Sequence, residues 1–258
     1  NPMVLRLYRL PQVQHWQDFV VVTMADQAHA NRPQGGSTGG LLTCLGGPEQ
    51  LHGEAGRLNP IAWKTWKLKR KAISTNDGEM QATLEGEDHL FRTRWMWCQL
   101  NGCCAIEEPN MLLKANDLVK YVPGILATDS KGAFDAINKN EGPLLGLSNV
   151  RSALQAYQLR EQLAESMAKL IWISGDSNLG DAMTKKHRSS REGLLQFIKA
   201  QIWKLKYDPG FVLSEKKARK TGLQAVQQMR QLQALQPFPS HDSRKFLDWC
   251  DGTSLIES

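Results

Sequence analysis

Residues 18–45, DFVVVTMADQAHANRPQGGSTGGLLTCL, decide the fold. Phe19-Val20-Val21-Val22 is apolar on both alternating faces, so 18–25 is expected to be a buried strand, and it stops on the acid Asp26. Asn31-Arg32-Pro33-Gln34-Gly35-Gly36 is a turn cluster, after which 37–45 (STGGLLTCL) reads as a second strand closed by Gly46-Gly47-Pro48. Further out, 59–70 (NPIAWKTWKLKR) interleaves Trp63, Trp66 and Leu68 with Lys64, Lys67 and Lys69. That is a third strand with one wet, cationic face, completing a three-stranded antiparallel meander. Residues 49–58 lengthen the loop before it.

The pattern changes at Ser74. Thr75-Asn76-Asp77 offers N-cap chemistry, and Met80, Leu84, Leu90, Phe91 and Trp95 recur at helical spacing up to Asn101-Gly102. Trp95, Trp97 and Cys98 on that helix are read as core. Residues 122–129 (VPGILATD) return to a strand signature, and a helix begins at Ser130. An amphipathic helix follows over 148–169, with Val150, Leu154, Tyr157 and Leu163 in its apolar stripe. Residues 170–174 (LIWIS) are a last short strand, and Gly175-Asp176-Ser177-Asn178 turns into the helix that carries Asp181. The expected fold is therefore α/β: a mixed five-stranded sheet, three strands antiparallel and then two parallel, flanked by helices.

Beyond His187 strand signals stop. Residues 194–206 and 217–235 read as helices separated by Asp208-Pro209-Gly210, followed by a partly disordered tail. The organisation expected is an N-terminal linker (1–17), a domain (18–186) and a basic, mostly helical C-terminal extension (187–258). At 258 residues with 41% hydrophobic and 22% charged content, the chain has ample material for a core. No apolar run reaches membrane-spanning length, so no membrane partner is expected. Five cysteines form an odd set with no zinc quartet, which points to a reducing, intracellular setting, cytoplasm or nucleus. The start, Asn1-Pro2-Met3-Val4, lacks signal-peptide character and an initiator Met, so a fragment or processed piece is expected.

The net charge of +6 is uneven. Residues 182–230 hold twelve Lys or Arg against three acids, a surplus of nine, which leaves the rest of the chain at −3. A near-neutral body with a basic extension suits a polyanion partner. No nucleophile elbow is present, and the Gly35-Gly36 and Gly39-Gly40 pairs lack the Lys of a phosphate-binding loop.

Four acids stand where local structure does not demand them. Asp26 and Asp129 end strands that otherwise read as buried, Glu79 lies in the first turns of a helix, and Asp181 opens a late one. If the strands from 19 and 122 are neighbours, Asp26 and Asp129 project close together. Clustered carboxylates repel and raise each other's pKa unless cations compensate, so four of them imply hard divalent cations. Two such ions can clamp a phosphodiester. Taken singly, each acid also reads as a helix cap, a turn former or a dipole partner.

These stretches resemble the RNase H domain of copia-type retrotransposon polyproteins. Ala25-Asp26-Gln27-Ala28-His29-Ala30 with Gly36-Ser37-Thr38-Gly39-Gly40 is similar to its first-strand motif, and Ala62-Trp63-Lys64 to its third strand. Residues 74–82 (STNDGEMQA) resemble its helix start, Thr128-Asp129-Ser130 its fourth strand, and Leu179-Gly180-Asp181-Ala182-Met183-Thr184-Lys185 the signature that ends the domain. The resemblance covers about 18–186 with the motifs in order. It implies an RNase H-like fold that hydrolyses the RNA strand of RNA–DNA hybrids with two Mg²⁺ ions, Mn²⁺ being an alternative. By the same resemblance Asp26, Glu79, Asp129 and Asp181 are the catalytic acids and metal ligands. Asp26 would bridge both ions, Glu79 and Asp129 would complete one site, and Asp181 the other. Lys64, Lys67, Lys69, Arg70, Ser130, Lys185 and Lys186 are the nucleic-acid contacts expected, and the reverse transcriptase portion of the same polyprotein is the expected protein partner. Gly78 is a departure that loosens the first helical turn, and the loop before Asp181 has no His. A catalytically silent, decayed or domesticated RNase H-like module that binds nucleic acid is the alternative, and an integrase or transposase nuclease of the same fold a third reading.

Overall fold

The computed structural model describes residues 5–103, 113–138, 149–185 and 191–205. The strands are β1 (Val20–Arg32), β2 (Gly36–Gly46), β3 (Gly56–Lys67), β4 (Gly124–Thr128), β5 (Lys169–Trp172) and β6 (Ile202–Trp203). The helices are α1 (Thr75–Leu100), α2 (Ala115–Val119), α3 (Lys131–Asn138), α4 (Val150–Ser166), α5 (Asp181–Thr184) and α6 (Glu192–Ala200). One mixed sheet runs in the order β5-β4-β1-β2-β3-β6. β1, β2 and β3 form the antiparallel meander, while β4 lies parallel to β1 and β5 parallel to β4.

The Val-rich run in β1 is apolar on both faces because both faces are covered. Val21 joins Met80, Leu90, Leu126 and Leu159 on the side of α1 and α4. Val20, Val22 and Met24 join Leu42, Ile125, Ile173 and Phe197 on the other. This is the period-two alternation of a strand, with a core on each side.

The sheet has six strands rather than the expected five. The helix expected over 194–206 ends at Ala200, because Gln201 turns left-handed (φ 49°) while its N–H still bonds the Phe197 carbonyl. Ile202 and Trp203 then pair antiparallel with Arg57 and Gly56 at the start of β3. A two-residue strand has no periodicity to read; what holds it is Trp203, whose Nε1 donates to the Ser177 carbonyl at 2.9 Å and whose ring meets Phe197 edge-on. The long loop expected before the third strand is also shorter, since a 3₁₀ turn (Pro48–His52) leads into β3 at Gly56.

Residues of the N-terminal stretch read as a linker lie against this edge. Asn59 exchanges hydrogen bonds with the Tyr8 backbone in both directions, and Gln201 Nε2 donates to the Arg6 carbonyl. Ser74 caps α1 by accepting from Asp77 N, and Trp97 packs edge-on against Phe19. Among the described residues no helix is long and apolar enough to cross a membrane. The 217–235 helix and the tail expected after it lie outside the described residues, as do Lys186 and His187.

Candidate metal centre

The parallel register of β1 with β4 decides the site. Met24 stands opposite Ala127, so Asp26 and Asp129, each two residues further on, leave the same end of the sheet side by side. Glu79 comes from the first turns of α1, which packs across that end. Ligand oxygens of Asp26, Glu79 and Asp129 all lie within 4.8 Å of one another. The three acids thus form a group able to bind a metal ion.

Asp181, the first residue of α5, is not in that group, although its charge adds to the upward shift of all three acids. That short helix lies against β2 because Gly40 has no side chain: a Cβ there would meet Met183 Cβ at 2.6 Å and the Gly180 carbonyl at 3.0 Å. Gly78, which the sequence marks only as a weak helix former, has a similar purpose. A Cβ at that position would strike the Gln27 side chain at 2.7 Å, so glycine lets α1 begin beside β1.

The electrostatics carry the mark of uncompensated negative charge. Burial raises Asp26 to about 7, with the charge of Asp129 adding to the rise and the Thr184 hydroxyl opposing it. Glu79 is pushed well above the usual carboxylate range by burial and then by Asp26 and Asp129. Asp129 is also raised by burial, against the pull of the Asn178 side chain. Glu79 Oε2 is buried without a hydrogen-bond partner among the described residues. Asp181 forms an ion pair with Lys185. Although burial works against it, the Lys185 ammonium is held above its usual range by Asp181, Asp26 and Asp129. Hard oxygen donors, an orphaned buried carboxylate oxygen and raised carboxyls together fit a divalent cation.

Three residues with parts in this arrangement were not singled out by the sequence. Thr184 Oγ1 donates to Asp26 Oδ2 at 2.6 Å. Asn178 Nδ2 donates to the Ala25 carbonyl, next to Asp26, while its Oδ1 accepts from Gly180 N. Gln27 bonds the Thr75 carbonyl and ties β1 to the start of α1. In the sequence Gln27 and Thr184 stand inside the motifs quoted around Asp26 and Asp181, and Asn178 in the turn before Asp181, with nothing local to mark their own roles.

The expected nucleic-acid contacts have different surroundings. Lys67 and Lys69 are exposed. Lys64 pairs with Glu85 at 2.5 Å and stands over the Trp66 ring. Arg70 is engaged by Asp77 at 2.8 Å and by Gln155 at 2.9 Å. Ser130 Oγ accepts from Ala133 N at the start of α3, one residue from Asp129. Lys185 lies beside the acids, and Lys186 is outside the described residues.

No protein family and no curated protein matches this chain in sequence. Among solved structures it is similar to the prototype foamy virus protease-reverse transcriptase, at 12% identity over 73% of this chain and 21% of that one, with a TM-score of 0.36. It is also similar to the foamy viral protease-reverse transcriptase in complex with an RNA/DNA hybrid, at 12% identity over 71% and 22% of the two chains, TM-score 0.37. The chain spans about a fifth of the length of these two proteins.

Proposed function

We propose that this chain is a metal-dependent endonuclease of the RNase H type, which hydrolyses the RNA strand of RNA–DNA hybrids as part of a copia-type retrotransposon polyprotein beside a reverse transcriptase portion. The observation that carries this reading is the meeting of Asp26, Glu79 and Asp129, from three separate elements, within 4.8 Å at one end of the sheet. The strand order supports it, with an antiparallel meander followed by two parallel strands.

Mg²⁺ or Mn²⁺ would be held by Asp26, Glu79, Asp129 and Asp181; when bound, such ions supply an activated water and stabilise the leaving 3′ oxygen of a phosphodiester. The chain's own residues prepare the site. Thr184 fixes one oxygen of Asp26 and keeps its carboxylate more acidic than burial alone would allow. Asn178 anchors the backbone between Met24 and Asp26 through the Ala25 carbonyl. Lys67 and Lys69 present exposed cations to the sugar-phosphate backbone, with Ser130 and Lys185 nearer the carboxylates. Preference for RNA rests on contacts to 2′-hydroxyls across a wide minor groove.

The test is strand-resolved cleavage. With Mg²⁺, a hybrid labelled on its RNA strand is expected to give fragments ending in 3′-hydroxyl and 5′-phosphate, with the DNA strand intact and a chelator abolishing the reaction. Binding of the hybrid without cleavage under Mg²⁺ or Mn²⁺ would favour the silent-module alternative.

A further inference from the structure

Glu79 reaches the carboxylate cluster from the first turns of α1, and each residue that opens this helix is held by a different part of the fold. The Thr75 carbonyl accepts from Gln27 Nε2 of β1 at 3.3 Å. Asn76 lies against Gly132 of α3, where a Cβ would meet its Oδ1 at 2.5 Å. Asp77 turns to α4: its Oδ1 accepts from the Ser152 hydroxyl at 2.5 Å and from Arg70 at 2.8 Å. Its Oδ2 accepts from the Ile73 backbone N–H at 3.0 Å. The same Arg70 nitrogen donates to Gln155 of α4 at 2.9 Å.

Starting a helix asks for less than this. Ser74 already caps α1 by accepting from Asp77 N, and a first-turn acid can serve the helix dipole from an exposed position. Asp77 and Ser152 are instead both buried, at 2% and 1% exposure. A buried carboxylate is costly unless it is paired and hydrogen-bonded, and here an arginine and a serine from outside the helix supply the partners. Residues two apart stand about 200° from each other around a helix axis. Asp77 therefore faces α4 while Glu79 faces Asp26 and Asp129. With both oxygens committed, Asp77 is not itself a metal ligand. What its contacts fix is the position and rotation of the turn that carries Glu79. Glu79 Oε2 is buried without a hydrogen-bond partner among the described residues, so the placement of that oxygen depends on the helix.

We propose that Asp77 is a positioning residue of the metal centre: held by Ser152 and Arg70, it sets the placement of Glu79 and couples α4 to metal binding. The inference rests on the reading of the chain as a metal-dependent nuclease. It makes Arg70 part of this support rather than a contact to nucleic acid.

The experiment titrates Mn²⁺ calorimetrically into the full chain, unaltered and as Asp77→Asn, Ser152→Ala, Arg70→Gln and Leu159→Ala, each well below its own Tm. Leu159 is a fully buried core residue of α4 outside the Asp77 contacts, and its variant is the control for general loosening. Asp77→Asn is expected to weaken Mn²⁺ binding about tenfold, the order found when a group supporting a metal ligand is removed. Ser152→Ala weakens it by less, since Arg70 still holds Asp77. Arg70→Gln weakens it too, yet leaves unchanged the salt dependence of binding to a short RNA–DNA hybrid in chelator. Loss of a phosphate contact would instead lower the slope of log K against log salt by about one. Leu159→Ala lowers Tm and keeps the Mn²⁺ affinity.

Mn²⁺ affinity that is unchanged in folded Asp77→Asn and Ser152→Ala overturns the positioning role and leaves the metal centre standing. An equal loss in Leu159→Ala also overturns it, because any loosening of α4 would then suffice. Absence of Mn²⁺ binding by the unaltered chain overturns both. A lowered salt slope in Arg70→Gln with Mn²⁺ affinity intact overturns the part given to Arg70.

Discussion

Thr184 Oγ1 donates a 2.6 Å hydrogen bond to Asp26 Oδ2 across 158 residues of chain. This contact fastens the last helix of the site to its first strand, and it opposes the upward shift that burial and Asp129 impose on Asp26. Thr184→Val keeps the shape and removes the donor. It is expected to lower Mg²⁺-dependent cleavage by about tenfold, the order of one lost hydrogen bond to a charged group. The acid limb of the pH–rate profile should also move to higher pH, since Asp26 then ionises later. An unshifted limb would show that Asp26 does not limit the rate.

Asp26 weakens the metal-free protein. Its carboxyl is raised to about 7, so between its ordinary 3.8 and that value the folded state holds a proton that the unfolded state has lost. Stability is therefore lost as pH rises through this window and is constant above it. Asp26→Asn removes the penalty: in chelator it should be more stable than the unaltered chain by about 2–4 kcal/mol near pH 8, with the gap closing near pH 4. Urea unfolding at the two pH values measures it; a variant no more stable than the parent at the higher pH contradicts the buried-carboxylate account.

Divalent cations should reverse that penalty in the unaltered chain. Adding Mg²⁺ or Mn²⁺ at about a hundred times its dissociation constant is expected to stabilise the fold by about 2.7 kcal/mol, seen as a rise in Tm. Asp26→Asn and Asp129→Asn should lose most of this rise. A rise that survives in both variants would place the cation elsewhere.

Gly40 sets how closely α5 approaches the sheet. Gly40→Ala brings a Cβ within 2.6 Å of Met183 Cβ and 3.0 Å of the Gly180 carbonyl, so the helix must retreat. A destabilisation of about 1–3 kcal/mol follows from such overpacking. Cleavage should fall by more than the loss of folded protein explains, because Asp181 and Thr184 move away from Asp26 together. Circular dichroism and activity measured on the same sample separate the two effects.

Much of this arrangement was legible in the residues. The Val run of β1 and the VPGILATD segment carry strong strand signals, and their parallel pairing then brings Asp26 to Asp129. Glu79 follows from the N-cap chemistry read at Thr75-Asn76-Asp77, although the cap itself is Ser74, one residue earlier. What was not legible depends on contacts distant in sequence. β6 is two residues long, too short for any period, and exists because Trp203 finds Ser177 and Phe197. Gly78 reads locally as a defect and becomes intelligible only beside Gln27. Lys64 and Arg70 appear in the sequence as members of a basic run, yet Glu85 and Asp77 engage them, and such pairings are set by tertiary packing.

The most direct test of the central claim is cleavage of an RNA–DNA hybrid, labelled on the RNA strand, by the unaltered chain and by Asp129→Asn, with Mg²⁺ and with folding checked by Tm. The account predicts RNA-strand products from the first and a loss of at least about a hundredfold in the second, as expected when a group that stabilises charge at the reacting centre is removed. Equal cleavage by both folded proteins would contradict it.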